Sequence, residues 1–222
     1  LGLKAAVIGA RRAMARAGRE VPIQAQVTME LTGRMLVGTE IGAALAAIDP
    51  LGIDLIGMNC ATGPAEMSEH LRHLSQQSRM PISCLPNAGL PSVVDGKMHY
   101  DLTAEQLRDH QRRFVTELGV QVIGGCCGTT PDYIRMLAEM APSLMPAHRE
   151  PEFEPAVTSI YSAVTLDQDA SFLMIGERTN ANGSKKFREA MLDERYDDCV
   201  EIAKAQTREG AHVLDLCVDY VG

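Results

Sequence analysis

The sequence predicts an α/β protein of the (β/α)8 TIM-barrel type, in which the second half of one barrel is followed by a linker and the first βαβ elements of a second barrel. Predicted strands and helices alternate along the chain, and the unusual polar residues and cysteines stand where strands end. Such alternation is typical of parallel strands joined by right-handed crossovers. A doubly wound open sheet is the alternative, which periodicity alone does not exclude.

The elements of the first part follow in chain order. Apolar residues recur at helical or strand spacing, which predicts a helix over 3–17, a strand over 22–29, a helix over 40–47, a strand over 54–59, a helix over 64–77, a strand over 81–85, a helix over 103–118, a strand over 120–123 and a helix over 131–140. Thr103 and Gln106 form a capping box. Thr130 stands as an N-cap before Pro131 at the first helical position.

The alternation stops over residues 141–170, where four prolines and three glutamates indicate a linker. It resumes with a strand over 172–176, one long helix or two over 184–210, and a strand over 212–218. We therefore expect three parts: residues 1–140 as the C-terminal portion of a first barrel, 141–170 as an interdomain linker, and 171–222 as the start of a second barrel.

Composition narrows the class of function. The 222 residues carry a formal net charge of −8 and no long run of Lys and Arg, which argues against nucleic acid or an anionic membrane as a partner. No apolar run approaches the roughly 20 residues that span a bilayer. Six cysteines in a long chain without a signal pattern indicate a reduced, cytoplasmic protein. Small molecules are the expected ligands.

Three of the cysteines follow predicted strands. Cys60 comes after the strand over 54–59, and Cys126 and Cys127 lie side by side in a glycine-rich run after the strand over 120–123. Neighbours in a regular strand point to opposite faces, so these two converge only if the backbone leaves the strand, as glycine permits. Three thiolates without a fourth protein ligand suit a catalytic zinc ion. Buried small hydrophobes or a redox pair are the alternatives.

The two neighbouring histidines and the other three cysteines are expected to have structural roles rather than to bind metal. His70 and His73 lie on the predicted helix over 64–77, where a solvated face is expected rather than metal ligation. The remaining cysteines stand singly in regular elements and are expected to pack: Cys84, Cys199 and Cys217.

Three segments together resemble the homocysteine S-methyltransferase family: Gly57-Met58-Asn59-Cys60, Pro86-Asn87-Ala88-Gly89-Leu90-Pro91 and Gly124-Gly125-Cys126-Cys127-Gly128-Thr129-Thr130-Pro131. The resemblance covers roughly residues 1–140. It implies a barrel that binds Zn²⁺ through Cys60, Cys126 and Cys127, where the zinc-bound homocysteine thiolate is the nucleophile and no protein nucleophile is needed. Asn87 is expected to hold the amino-acid part of homocysteine, a turn-forming Asn being the alternative.

After the linker, the run Gly176-Glu177-Arg178-Thr179-Asn180 ends a predicted strand. A homocysteine domain, a linker and this motif in that order resemble the cobalamin-dependent methionine synthase family, whose second module is a pterin-binding barrel. The resemblance implies methylcobalamin as methyl donor, 5-methyltetrahydrofolate as co-substrate, and cobalamin-binding and reactivation modules in the same full-length chain. Glu177, Asn180, Asp215 and Asp219 are the candidate pterin contacts, with a salt-bridged rim or a surface turn as alternatives.

Two other functions stay open at this point: a zinc-dependent homocysteine methyltransferase with another methyl donor, and a non-catalytic zinc or thiol protein. The 222 residues alone are expected to be inactive, because a half-barrel leaves an unpaired strand edge.

Overall fold

A computed structural model describes residues 2–220, which divide into two compact units. The first unit runs through Glu154 and includes Thr158–Ala163. The second comprises Pro155–Val157 and the described residues from Val164 onward. Each unit is an α/β structure with a parallel sheet, which confirms the α/β class of the predicted fold.

The first unit alternates strands and helices in the predicted order. Its elements are α1 (Gly2–Ala17), β1 (Gln24–Val27), α2 (Ile41–Ile48), β2 (Leu55–Asn59), α3 (Pro64–Gln77), β3 (Ile82–Leu85), β4 (Pro91–Val94), β5 (Lys97–Tyr100), α4 (Ala104–Leu118), β6 (Val122–Ile123) and α5 (Pro131–Met140), with 3-10 turns at Asp49–Leu51 and Ala141–Ser143. No helix within residues 2–220 combines the length and the apolar character that crossing a membrane requires.

Four strands of this unit form one parallel sheet in the order β1-β2-β3-β6. Residues of one face, such as Ile56, Met58 and Ile82, are fully buried against the helices. The carboxyl ends of β2 and β6 therefore lie at the same edge of the sheet, each followed by cysteines. The sheet is open within the described residues, so closure into a (β/α)8 barrel stays a prediction.

The opposite face of this sheet is polar. The side-chain amides of Gln24 and Gln26 both donate to Ser83 Oγ, at 2.9 and 2.7 Å. Gly57 makes room for this cluster, since a Cβ there would lie 1.8 Å from Ser83 Oγ. The two faces of β1 to β3 thus differ as the period-2 geometry of a strand requires.

The predicted capping box is confirmed at the start of α4. Gln106 N donates to Thr103 Oγ1 at 3.3 Å, and Thr103 N donates to Gln106 Oε1 at 2.8 Å. Thr130 occupies the N-cap of α5 before Pro131, but its side chain makes no capping hydrogen bond.

A β-hairpin that the sequence analysis did not predict lies between β3 and α4. Strands β4 and β5 pair antiparallel across a turn at Asp95 and Gly96, which have φ of 50° and 73°. Two left-handed residues of the Asp-Gly type define a type I′ hairpin turn, whose twist matches that of the flanking strands. The hairpin returns the chain to the cysteine-bearing edge of the sheet.

The segment predicted as a linker is ordered in its first half. Ala147 N donates to Val115 O and Glu152 N donates to Gln76 O, so this stretch packs on the first unit. Two further short strands follow, β7 (Ala156–Thr158) and β8 (Ala163–Thr165). The proline-rich composition therefore does not make residues 141–170 structureless.

The second unit contains β9 (Ile175–Asn180), α6 (Lys185–Leu192), α7 (Tyr196–Arg208) and β10 (Val213–Cys217). Strands β9 and β10 pair in parallel. Phe187, Ala190 and Ile202 form its small core. The helical stretch over 184–210 is two helices, with Glu194 between them in the left-handed region at φ 58°.

The strand predicted over 172–176 is wrong in its position. Phe172 is 92% exposed and lies outside any strand. The strand runs from Ile175 to Asn180 because its backbone pairs with β10, with Ile175 opposite Val213 and Asn180 opposite Cys217. Backbone pairing, rather than the apolar run, sets the limits of this strand.

Candidate metal centre and strand-end polar site

The three predicted cysteines lie together. Cys60 Sγ is 3.6 Å from Cys127 Sγ, Cys126 Sγ is 3.9 Å from Cys127 Sγ, and all three sulfurs lie within 4.8 Å of one another. Tetrahedral zinc with Zn–S distances of about 2.3 Å places its sulfurs about 3.8 Å apart. The spacing of the thiols therefore suits a zinc ion.

Cys60 reaches the centre through an unusual backbone conformation. Cys60 and Ala61, directly after β2, have φ of 60° and 58°. Residues other than glycine hold this left-handed conformation at a cost of about 1–2 kcal/mol each. The conformation is fixed by hydrogen bonds from Cys60 N to Leu85 O at 3.2 Å and from Thr62 N to Cys60 O at 2.7 Å.

The Cys126–Cys127 loop after β6 packs closely around its glycines. A Cβ at Gly124 would lie 2.5 Å from Leu85 Cδ2, and one at Gly125 would lie 2.5 Å from Thr129 Cγ2. Thr129 Oγ1 donates to Cys126 O at 2.7 Å and closes the loop. Because β6 ends at Ile123, the backbone has left the strand before Cys126, as predicted.

Asn87 joins the two cysteine segments. It is only 3% exposed. Its Oδ1 accepts from Cys127 N at 3.1 Å, and its backbone N donates to Thr62 O at 3.1 Å. The side chain is thus engaged with the backbone of Cys127, and its predicted contact with homocysteine stays a prediction.

The thiols differ in acidity. The backbone N–H of Ala61, and after it the neighbouring thiols of Cys127 and Cys126, lower the pKa of Cys60 below its ordinary value. Hydrogen bonding to Cys60 raises the pKa of Cys127 to about 11. Of these two thiols, Cys60 therefore loses its proton more readily, and a charge on one sulfur opposes a second charge beside it.

Tyr100 is a neighbour of the centre that the sequence analysis missed. It ends β5 and lies against Gly128, directly after Cys127. Desolvation, followed by the neighbouring Cys127 thiol, raises the pKa of Tyr100, with smaller effects from Cys60 and Cys126. The Asp95-Gly96 turn between β-rich runs was the sequence signal for the hairpin that brings it there.

The two histidines of α3 are half-buried, so the prediction of a solvated face is wrong for them. A Cβ at Gly33 would lie 3.8 Å from His70 Cε1, and one at Gly42 would lie 3.2 Å from His73 Nε2. Burial lowers the pKa of both imidazoles. They pack against neighbouring backbone, and the group of thiols with metal-ligand spacing includes neither.

The remaining cysteines behave mainly as packing residues. Cys84 and Cys199 are buried, and burial raises the pKa of the Cys84 thiol. Cys217 is half-buried, with its Sγ 3.5 Å from Asn182 Nδ2.

The second unit brings together two of its four candidate pterin residues. Asn180 ends β9 and Asp215 lies in the neighbouring strand β10; Asn180 Nδ2 donates to Asp215 Oδ2 at 2.7 Å. Gln206 of α7 supports this region, because its buried Oε1 accepts from Arg178 N at 2.7 Å at the irregularity in the β9–β10 pairing. Asn180 and Asp215 are both half-buried, and Asp215 supplies the carboxylate of this pair.

The other two candidates make no such contact. Glu177 and Asp219 are exposed, and neither side chain has a hydrogen bond or an ion pair within residues 2–220. The backbone oxygen of Asp219, rather than its carboxylate, accepts a hydrogen bond from Asn182 Nδ2 at 2.8 Å. Arg178, between Glu177 and the pair, is bonded to Glu209.

Comparison with known proteins gives a consistent picture. Residues 2–141 match the family described as homocysteine S-methyltransferase, and residues 176–222 match the family described as pterin binding enzyme. The methionine synthase of Mycobacterium tuberculosis (strain ATCC 25618 / H37Rv) is 59% identical over 222 residues, which are 100% of this chain and 19% of that protein. That of Mycobacterium leprae (strain TN) is 57% identical over 227 residues, again 100% of this chain and 19% of that protein.

The chain therefore spans less than a fifth of the length of these relatives. Its match to the first family extends over more than half of its residues and includes all three converging cysteines. On this evidence, the chain belongs to the homocysteine S-methyltransferase family.

Proposed function

We propose that this chain supplies the homocysteine-activating zinc centre of a methyltransferase that forms methionine, with methylcobalamin as donor and 5-methyltetrahydrofolate as the source of the methyl group. The observation that supports the proposal most strongly is the triangle of thiols, with sulfur separations of 3.6 and 3.9 Å. The likeness to two methionine synthases supports the reaction.

The donor set fits zinc. Cys60, Cys126 and Cys127 would hold the ion, and three thiolates leave one position of a tetrahedral site for a further ligand. When bound, zinc supplies Lewis acidity that lowers the pKa of a thiol coordinated to it.

The protein residues prepare this chemistry. Homocysteine carries a thiol that is mostly protonated at neutral pH, whereas the thiolate is the nucleophile. The strained turn at Cys60 and the glycine-rich loop at Cys126 fix the three sulfurs before substrate binds. Asn87 is our candidate for the amino-acid part of homocysteine, and no protein nucleophile is required, because the substrate sulfur accepts the methyl group.

For the second unit we propose a pterin site at the ends of β9 and β10. Asn180 and Asp215 would hydrogen-bond the pterin ring, with Glu177 and Asp219 on the same rim. The N5 amine of methyltetrahydrofolate leaves only if it is protonated or strongly hydrogen-bonded, which requires polar groups around the ring. The match of residues 176–222 to pterin binding enzymes supports this assignment.

The wider organisation follows from the same proposal. Residues 1–140 and 171–222 would belong to two (β/α)8 barrels separated by residues 141–170, and cobalamin-binding and reactivation modules would lie in the same full-length chain. All six cysteines are unpaired thiols, which suits an enzyme of the reducing cytoplasm.

The zinc proposal is tested by Cys126→Ala in the full-length protein, with Cys199→Ala as the matched control. The wild type and the control are expected to hold about one zinc ion at this centre. Cys126→Ala is expected to lose it, and methionine formation should fall by more than about 100-fold, since even outer-shell changes cost 10- to 100-fold. Unchanged zinc content in Cys126→Ala would overturn the proposal.

The pterin proposal is tested by Asp215→Asn, with the exposed Asp197→Asn of α7 as control. Loss of a charged hydrogen-bond partner is expected to weaken 5-methyltetrahydrofolate binding by about 10- to 100-fold. Equal folate binding by the two variants would show that Asp215 is not a pterin contact.

A further inference from the structure

We propose that Tyr100 is a positioning residue of the three-cysteine centre, whose ring holds the Cys126–Cys127 loop in place at Gly128. The proposal rests on the zinc function proposed above and adds a residue outside the ligand set.

The contact with Gly128 is the first observation. A Cβ at Gly128 would lie 2.4 Å from Tyr100 Cγ and 2.5 Å from Cδ2. The ring therefore occupies the space that any larger residue at position 128 would need. Gly128 also has φ of 79°, a conformation that favours glycine. The backbone directly after Cys127 is thus shaped around the tyrosine ring.

The burial of Tyr100 is the second observation. Lys97, Met98 and His99 of the same strand are exposed, and Tyr100 alone of β5 is half-buried. Its ring lies against Gly128 of the cysteine loop. Tyr100 is therefore the residue of β5 through which the hairpin packs on this loop.

The backbone around Tyr100 is anchored to the centre. Leu102 N donates to Ala88 O at 3.1 Å, and Ala88 N donates to Cys127 O at 2.9 Å. Tyr133 Oη donates to Leu102 O at 2.5 Å. Tyr100 thus stands two residues before a hydrogen-bonded path that ends on Cys127, so the ring and the ligand loop are held in one arrangement.

The test uses Tyr100→Ala in the full-length protein, with the exposed Tyr196→Ala of α7 as the matched control. Zinc affinity is measured by competition with a chelator, and Co²⁺ is substituted for zinc to record the thiolate-to-cobalt charge-transfer absorption. Tyr100→Ala is expected to bind zinc about tenfold more weakly and to shift this absorption, because the Cys126–Cys127 loop loses the ring that holds it. Tyr100→Phe, which keeps the ring, and the control should match the wild type.

A second set of variants tests the ring. Gly128→Ala should weaken zinc binding strongly in the wild type and less in a Tyr100→Ala background, where the space of the ring is vacant. Strictly additive losses would overturn the proposal. Equal zinc affinity and cobalt spectra for Tyr100→Ala and Tyr196→Ala would overturn it as well. Absence of zinc binding by the wild type would instead refute the proposed function, and this proposal with it.

Discussion

Arg149 should hold the first half of residues 141–170 on the first unit. Its guanidinium donates from Nη1 to Ser78 O at 3.0 Å and to Ser75 O at 3.3 Å, and from Nη2 to Met80 O at 2.8 Å. These carbonyls lie in the last turn of α3 and directly after it, and burial lowers the pKa of Arg149. Arg149→Met removes the donors and keeps most of the aliphatic stem.

The expected loss can be worked from these contacts. Hydrogen bonds from a charged donor are worth about 1.5–3 kcal/mol each. Two of the three have good lengths, and the side chain is only half-buried, so water replaces part of the interaction. The variant also removes the Arg149 Nε, which is buried without a partner within residues 2–220. A net loss of about 2–3 kcal/mol in the local opening free energy follows.

Hydrogen exchange measures this loss locally in the full-length protein. The amides of Ala147 and Glu152, which are bonded to Val115 O and Gln76 O, should exchange about 30- to 150-fold faster in Arg149→Met. Arg135→Met, which removes only a surface ion pair with Asp132, should leave these rates nearly unchanged. Equal exchange in the two variants would refute this role for Arg149.

Three further predictions concern the cysteine centre and α4. In the zinc-free protein at pH 8, Cys60 should be alkylated about tenfold faster than Cys127, because a pKa of about 11 leaves Cys127 almost wholly protonated; equal rates by peptide mass spectrometry would contradict the order of acidity. Gln111→Leu should lower the unfolding free energy by about 2–3 kcal/mol in urea denaturation, since the buried Gln111 amide donates to Cys84 O and Gly124 O. Thr103→Ala should cost about 1 kcal/mol, measured as several-fold faster exchange in the first turn of α4; unchanged exchange would mean that the capping box contributes nothing.

Much of the first unit could be predicted because its signals are local. Pro64 marks the start of α3 because its fixed φ suits the first helical turn. The Thr103 capping box marks the start of α4 through hydrogen bonds made within three residues. The convergence of Cys60 with Cys126 and Cys127 followed from parallel strands that end at one edge. At these positions, short-range sequence signals and the strand order were enough to predict the observed structure.

The remaining features depend on contacts distant in sequence. The limits of β9 follow from its pairing with β10, which the apolar run at Phe172 does not encode. The half-burial of His70 and His73 follows from the packing of α3 against backbone at Gly33 and Gly42. The β4–β5 hairpin is a different case, because its Asp95-Gly96 turn was a local signal that the strand–helix alternation obscured.

Asn87 shows how a site residue can be found while its contacts are not. Its place after β3, beside a glycine turn, identified it as part of the site. Its hydrogen bonds to Cys127 N and to Thr62 O could not be predicted from the sequence, because they join three loops. Which groups converge follows from topology, whereas which atoms are bonded follows from packing.

X-ray absorption at the zinc edge of the full-length protein tests the central claim most directly. The account predicts three Zn–S distances of about 2.3 Å without homocysteine and four when homocysteine is bound. Cys126→Ala should lose the signal, and Cys199→Ala should retain it. Zinc surrounded by two or fewer sulfurs, or a sulfur count that does not change with homocysteine, would contradict the three-cysteine centre.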